Sequence, residues 1–488
     1  MSVAGPTPRY DFTSPVPPLE LLGRVHLIAI GGAGMSAVAR LMLDRGMPVS
    51  GSDAADTPTL QALRDNGARV DVGHDAAHVA DVDTVVVSSA VRDDNVELAA
   101  ARASGLRVLH RSQALAALMG DSLRVAVAGA NGKTTTTSML VVALAAAGID
   151  PSFASGAEIP QLGTNAGLGG GSVFVVEADE SDGSFLAYRP HVAVVTNVQP
   201  DHLDFYGTVE EVERAYAAFA ASVVEGGVLV ACSDDPGADR LAEQARDHGL
   251  TVLTYGTAAG SDVEVLGTSA DGLGTRSRLR HAGIERELEL GVPGDHNVLD
   301  ACAAYLAAVA GLGADPDAAL RGLAGFRGAR RRFEVRGEVA GVTVVDDYAH
   351  NPAKVEAVVR TAAEIVRRRG AGSLRVVFQP HLYTRTRDFA VQFAQALAPA
   401  DHVVLLDVYG AREEPVPGVT SSLIGDPLLA LPGRRSVLVR PVEPDAVSAV
   451  ADAAGPGDLV LLVGAGDVTR LASPLLDALR ARSGGGTS

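Results

Sequence analysis

Lysine is almost missing from this chain. Of 488 residues, 41 are Lys or Arg, and the only lysines are Lys133 and Lys354, so arginine serves wherever any cation will do. A lysine kept at position 133 signals a need for a compact, flexible ammonium. Cysteine is as scarce. Cys232 and Cys302 form no short motif and point to a reducing compartment, with a single disulfide as the open alternative. Positive charge is also short, 41 basic against 59 acidic residues, and the net charge of −18 excludes nucleic acid and anionic membrane as the main partner. Any anionic ligand must therefore be held locally. No long apolar run is present: residues 134–149 are uncharged but too short and too rich in threonine to span a bilayer. Residues 1–21 carry five prolines with neither a basic n-region nor an apolar h-region, which predicts a disordered tail rather than a signal peptide. A soluble cytoplasmic protein is the expectation. What the chain does have is 47% hydrophobic residues and a length that predicts two to four domains.

The most informative stretch is residues 125–137, Val-Ala-Val-Ala-Gly-Ala-Asn-Gly-Lys-Thr-Thr-Thr-Thr, an apolar strand running into a glycine turn that opens a helix. Gly129 and Gly132 let backbone N–H groups converge on phosphate oxygens, Lys133 adds a point charge, and Thr134 offers a hydroxyl to Mg²⁺. Val127 stands where the first glycine of the common phosphate loop belongs, which leaves a shorter Gly-x-x-Gly-Lys-Thr. An ordinary glycine-rich βα turn is the competing reading.

A second glycine turn lies upstream. Residues 25–30 read as a buried strand, followed by Gly31-Gly32-Ala33-Gly34-Met35-Ser36-Ala37 and, after another strand, Asp53. This fits the dinucleotide fingerprint, which reports a diphosphate over a helix N-terminus and a ribose hydroxyl on an acid. UDP-sugars share both features with NAD, so a dehydrogenase stays open. Strands at 84–87 and 107–109 complete a small α/β sheet, with Ser88 at a strand's C-terminal end where ligands collect. His74 is either a ligand contact or a surface histidine.

In the middle of the chain, strand 173–176 delivers Glu177-Ala178-Asp179-Glu180-Ser181-Asp182, and strand 192–196 leads into a loop containing His202. An apolar strand ending in acids beside a phosphate loop is how nucleotide enzymes hold Mg²⁺; Glu177 is the first ligand choice, and His202 on the same edge is a metal or phosphate candidate. Short alternating strands are expected over 263–290. Asn297 is an N-cap or a base-edge contact. Arg327 begins an arginine cluster that is either a solvated linker or a phosphate clamp. From residue 333, two consecutive strands end in Asp346-Asp347-Tyr348-Ala349-His350-Asn351 and in Gln379-Pro380-His381-Leu382-Tyr383-Thr384-Arg385, and further βα units make another mostly parallel sheet. Polar loops at strand ends in three α/β units suggest a reaction chamber between domains.

Taken in order, Gly-Gly-Ala-Gly-Met-Ser, Gly-Lys-Thr-Thr-Thr-Thr, Glu-Ala-Asp-Glu-Ser-Asp, Asp-Asp-Tyr-x-His, Phe-Gln-Pro-His and Tyr-Thr-Arg-Thr resemble the Mur ligases over about residues 22–480. The resemblance implies three α/β domains. A Rossmann-like N-terminal domain (22–120) binds a UDP-sugar, a central P-loop ATPase-like domain (121–332) binds ATP and Mg²⁺, and a Rossmann-like C-terminal domain (333–482) binds an amino acid, with a flexible tail at 483–488. It further implies an ATP-dependent amide ligase that joins L-alanine to UDP-N-acetylmuramate through an acyl phosphate, or a recycling ligase that adds a tripeptide to the same nucleotide. Outside the family, a dehydrogenase or a non-catalytic nucleotide switch remains.

By resemblance, Lys133, Glu177, His202, His350 and Arg385 serve catalysis, and Thr134, Glu177 and His202 serve metal. Gly129, Ala130, Asn131, Gly132, Lys133, Thr134, Thr135, Asn297, Arg327 and Asp346 contact ATP. Gly32, Ala33, Gly34, Met35, Ser36, Asp53, His74 and Ser88 contact the UDP-sugar, and Tyr348, His381 and Arg385 the amino acid. The chain departs from the family at Ala130-Asn131 (usually Thr-His), Asn351 (usually His), Leu382 (usually Arg) and Arg412 (usually Gly). With no lysine between 133 and 354, the carbamylated lysine of related ligases has no residue here.

Overall fold

The computed structural model of the chain describes residues 10–411, 413–433, 436–439 and 443–484; Arg412 and the terminal residues 1–9 and 485–488 lie outside them. Two units divide at 327/328. In the first, five short strands, β1 Val25–Ile28, β2 Val49–Asp53, β3 Arg69–Val72, β4 Thr84–Val87 and β5 Arg107–His110, pair in parallel in the order β3-β2-β1-β4-β5. Helices α1 Ala33–Asp44, α2 Pro58–Asp65, α3 Val96–Ala103 and α4 Arg111–Met119 complete this part. β1 and β4 are buried at every residue, as strands of a sheet covered on both faces must be. Strand order reverses between β1 and β4, so the glycine turn after β1 sits at the switch point where open α/β sheets bind ligands.

The second sheet of this unit has ten strands: β6 Leu123–Ala128, β7 Ser152–Ile159, β8 Thr164–Gly167, β9 Val173–Glu177, β10 Val192–Val195, β11 Val228–Cys232, β12 Thr251–Gly256, β13 Val263–Asp271, β14 Gly274–His281 and β15 Ile284–Leu290. Its order is β15-β14-β13-β12-β11-β10-β6-β9-β7-β8. β6 lies between β9 and β10, parallel to both, which puts the ends of all three on one edge. Its helices are α5 Lys133–Ala146, α6 Leu203–Tyr206, α7 Val209–Ala221, α8 Pro236–Asp247, α9 Asp295–Leu306 and α10 Pro316–Ala324. The stretch expected as short alternating strands is an antiparallel meander, β13-β14-β15, that extends the parallel sheet. One apolar core runs from Leu22 to Phe326 and so serves both sheets.

Residues 10–21 correct the expectation of a disordered tail. Phe12 is buried and its ring lies 5.2 Å from that of His110, Gln113 donates to the Asp11 carbonyl, and residues Leu19–Leu21 form a 3₁₀ turn. Proline fixes φ in these residues, so the extended segment loses little entropy when it lies against the sheet.

The second unit holds β16 Glu334–Val339, β17 Val342–Asp347, β18 Leu374–Phe378, β19 His402–Leu405, β20 Ser436–Val439 and β21 Leu459–Val463 in the order β16-β17-β21-β18-β19-β20, parallel except for β16. Its helices are α11 Pro352–Arg369, α12 Tyr383–Asp388, α13 Ala390–Leu397, α14 Ser422–Ala430, α15 Glu443–Ala453 and α16 Ala472–Gly484. β17 is buried throughout although it ends in two aspartates. No helix among the described residues is long and apolar enough to cross a membrane.

Candidate active site

The turn between β6 and α5 is shaped by what its glycines must avoid. Gly132 caps α5 with φ of 85°, and a Cβ there would lie 2.4 Å from Asp300 Oδ1; one at Gly129 would lie 1.9 Å from Thr196 Oγ1. Ala130 is buried. Asn131 docks the turn onto the loop after β10: its N–H donates to Asn197 Oδ1 at 2.9 Å and its amide to Gln199 Oε1 at 3.1 Å. The first residue of α5, Lys133, donates to the Gly129 carbonyl at 2.6 Å and to Glu180 Oε1 at 2.8 Å. Burial disfavours its ammonium, but Glu180, Asp179 and Glu177 outweigh that and hold its pKa above the usual value.

Thr134 donates to Glu177 Oε1 at 3.0 Å, and Gly156 N–H donates to Glu177 Oε2 at 2.7 Å. The two residues expected to share a metal are therefore in contact. His202 is placed differently: its Nε2 lies 3.6 Å from Glu180 Oε1, and although burial opposes its charge, Glu180 and Asp201 raise its pKa. Glu180 thus joins Lys133 to His202, and its backbone carbonyl accepts the Tyr206 hydroxyl.

Three expected ATP contacts have other partners. Asn297 is not an N-cap, since Gly294 holds that place in α9; its buried amide donates to the Pro293 carbonyl at 2.6 Å. Arg327 donates to the carbonyls of Ala324 and Phe326. Asp346, in the second unit, is fully buried, accepts from Thr469 Oγ1 at 2.5 Å and lies 3.8 Å from Arg331 and 3.7 Å from Arg336. Thr135 lies in the first turn of α5.

At the first glycine turn, Asp53 Oδ2 accepts the Gly31 N–H at 2.9 Å, and Gly32 caps α1. Ala33 and Gly34 open the helix, but Met35 and Ser36 turn inward: Met35 joins the core and the buried Ser36 hydroxyl donates to the Ala33 carbonyl. Their side chains are corrected from ligand contacts to packing. Ser88 is half-buried at the end of β4. His74 is no lone surface histidine. Its Nδ1 lies 2.9 Å from Glu97 Oε2 and 3.1 Å from Ser52 Oγ, in a cluster where His26 and His78 also surround buried Glu97.

In the second unit, the loops after β17 and β18 converge. His350 Nδ1 donates to the Tyr348 carbonyl at 2.9 Å, which leaves Nε2 with its lone pair, and burial pushes the imidazole pKa down to about 3. The His350 and His381 rings are 5.9 Å apart, His381 stacks on Tyr409 at 5.8 Å, and Arg385 Nη1 donates to the His350 carbonyl at 3.3 Å. Asn351, at the place of a family histidine, caps α11 by accepting the Lys354 N–H at 2.9 Å. Leu382, at the place of a family arginine, takes a left-handed φ of 70° and donates its N–H to the Tyr409 carbonyl.

Residues 24–122 match the family description "Mur ligase family, catalytic domain", 127–308 "Mur ligase middle domain" and 331–466 "Mur ligase, glutamate ligase domain". The chain is 55% identical, over 94% of its length and 97% of the relative's, to the UDP-N-acetylmuramate–L-alanine ligase of Kineococcus radiotolerans. It belongs to the Mur ligase family. Among solved structures, it matches the UDP-N-acetylmuramate–alanine ligase of Thermotoga maritima with a TM-score of 0.79 and 29% identity, covering 94% of this chain and 99% of that one. It also matches a murein peptide ligase of Psychrobacter arcticus with a TM-score of 0.68 and 25% identity over 94% and 99%. The three-domain α/β fold of the Mur ligases is therefore the fold of this chain.

For a Mur ligase that works with Mg²⁺, the residues present fit in part. Thr134 and Glu177 offer hard oxygen donors at a helix N-terminus, while no three His, Cys, Asp or Glu side chains among the described residues form a metal cluster. That suits an ion that keeps waters and takes substrate phosphate oxygens as ligands. Sequence reasoning passed over Glu180, Asp300 and Arg111. Glu180 carried a signal, since it stands in an acid run three residues after Glu177; Asp300 and Arg111 reach the glycine turns only through the fold.

Proposed function

We propose that this Mur ligase uses ATP to join the amine of L-alanine to the lactyl carboxylate of UDP-N-acetylmuramate, a cytoplasmic step of peptidoglycan precursor synthesis. The observation that carries the reading is 55% identity, over almost the whole chain, to a relative named for that activity. A carboxylate oxygen attacks the γ-phosphorus of ATP, forming the C–O–P linkage as the bond to ADP breaks. The neutral amine then attacks the acyl carbon, loses its proton, and phosphate leaves with the electrons of the C–O bond.

The charged and polar groups have matching roles in this scheme. Lys133, raised in pKa and fixed at the head of α5, stabilises the transferring phosphoryl group by preorganised charge. Mg²⁺, when bound at Thr134 and Glu177 with His202 nearby, neutralises phosphate charge. Gly129, Ala130, Asn131, Gly132 and Thr135 line the ATP phosphates. Asp53, Ser88 and His74 with the Gly32–Gly34 turn hold the UDP-sugar. Arg385, His381 and Tyr348 hold the amino acid, and His350, which burial keeps neutral, lies beside them.

The test is ADP release from the full chain with UDP-N-acetylmuramate and each amino acid or a tripeptide in turn. L-alanine is expected to give the highest kcat/KM; a preference for the tripeptide would move the chain to the recycling activity.

A further inference from the structure

Arg111 is the first residue of α4, yet its guanidinium lies over the glycine turn that opens α1. A Cβ at Gly34 would lie 2.5 Å from Arg111 Nη1, which places the guanidinium directly over the turn. The N-terminal turn of a helix already carries partial positive charge and N–H groups without intrahelical acceptors. A cation placed there raises the local positive potential, which only an anion lowers. The anion in hand is Asp179, whose Oδ2 accepts from Arg111 Nη2 at 2.6 Å. That contact uses one edge of the fork and leaves Nη1 toward the turn.

The Arg111–Asp179 contact is one of several that tie these parts together. His110 Nε2 lies 3.5 Å from Asp182 Oδ2, Ser89 donates to the same carboxylate, and Arg40 donates to Thr164 and Asn165. Asp179 stands next to Glu180 in the loop whose acids hold Lys133.

Resting on the proposed UDP-sugar reading, we infer that Arg111 is a further binding and positioning residue. One edge of its guanidinium grips the diphosphate of the nucleotide-sugar over the Gly32–Gly34 turn, and the other holds Asp179 in the acid loop beside Lys133. The sugar nucleotide and the ATP loop are thereby linked through one side chain.

Calorimetry of the full chain with UDP, with UDP-N-acetylmuramate and with a non-hydrolysable ATP analogue tests this in wild type, Arg111→Gln and Arg111→Lys, beside melting curves. Loss of a charge-assisted hydrogen bond predicts a roughly 10- to 100-fold weaker Kd of Arg111→Gln for both UDP ligands, with a smaller loss for Arg111→Lys and ATP-analogue binding nearly unchanged. In steady state, Arg111→Gln should also lower kcat at saturating substrates, and Asp179→Asn should remove that kcat effect of Arg111→Gln while leaving its effect on UDP binding. Equal Kd values in wild type and both variants overturn the inference alone. Parallel loss of UDP and ATP-analogue binding with a lowered melting temperature assigns Arg111 to structure. Weakening confined to UDP-N-acetylmuramate overturns the diphosphate contact. No binding of UDP-N-acetylmuramate by wild type overturns the functional reading and this inference with it.

Discussion

The chain contains two glycine turns that do the same mechanical work with different supplies of positive charge. After β1 and after β6, a buried strand meets glycine and a helix begins at an edge where neighbouring strands diverge. The second turn carries its own cation, Lys133, at the first position of α5. The first has none, and Arg111 reaches it from α4. Both cations meet acids from one loop, Lys133 with Glu180 and Arg111 with Asp179. A phosphate site can be written contiguously in sequence or assembled by the fold, and only the first kind is visible in a motif.

The sharpest way to break this comparison is to remove the contiguous cation. Lys133→Ala should cut turnover by at least ~10²-fold and leave binding of UDP-N-acetylmuramate unchanged, since a preorganised charge at the phosphoryl group is lost. The variant also strands Glu180, which is nearly fully buried and has Lys133 Nζ 2.7 Å away. Lys133→Ala combined with Glu180→Gln should therefore recover melting temperature but not turnover. Near-normal ADP release from a folded variant would remove Lys133 from the chemistry.

A site built without any glycine turn extends the comparison. In the second unit, Arg385, His350 and His381 are held by ring contacts and backbone carbonyls. A guanidinium that forks onto the carboxylate of L-alanine cannot be copied by an ammonium. Arg385→Lys should raise the KM for L-alanine by roughly 10- to 100-fold, about 1.5–3 kcal/mol, with much smaller effects on ATP and UDP-N-acetylmuramate. Steady-state kinetics with each substrate varied in turn, beside a melting curve, decides; impairment of all three substrates together would make the residue structural.

The same contrast explains what the sequence made legible. Strand, glycine turn and helix lie within a dozen residues, so both turns, and the parallel sheets they belong to, could be read from local pattern alone. The contact between Thr134 and Glu177 was also readable, because a parallel sheet puts the ends of β6 and β9 side by side. Arg111, Asp300 and the partners of His74 could not be read, because each meets its neighbour across long stretches of chain whose register only packing sets. The N-cap alternative for Asn297 misses by three positions: Gly294 caps the helix, and the Asn297 side chain bonds back to Pro293 inside the helix start. Residues 10–21 looked disordered by composition, whereas Tyr10 and Phe12 pack on the ring of His110 and the Leu21 carbonyl accepts from Arg107.

The smallest expected effect separates the two turns by backbone alone. Each helix is capped by a glycine, but Gly132 has φ of 85° whereas Gly32 has φ of −63° and ψ of 146°, a conformation open to any residue. A methyl at Gly132 would also press on Asp300 Oδ1 at 2.4 Å, while one at Gly32 would meet nothing nearer than the Ala29 carbonyl oxygen at 3.6 Å. Gly132→Ala should therefore cost about 1–3 kcal/mol of stability through left-handed strain and displacement of Asp300, which in turn accepts from Thr136 at 3.1 Å. Gly32→Ala should change stability by less than about 0.5 kcal/mol, because reduced freedom of the unfolded chain offsets the lost glycine cap. Denaturant melts of both variants without ligand make the comparison direct. Equal losses would mean that the two turns share one strained geometry, and the distinction between a turn wound around its own lysine and one left open for a distant arginine would fail at its backbone.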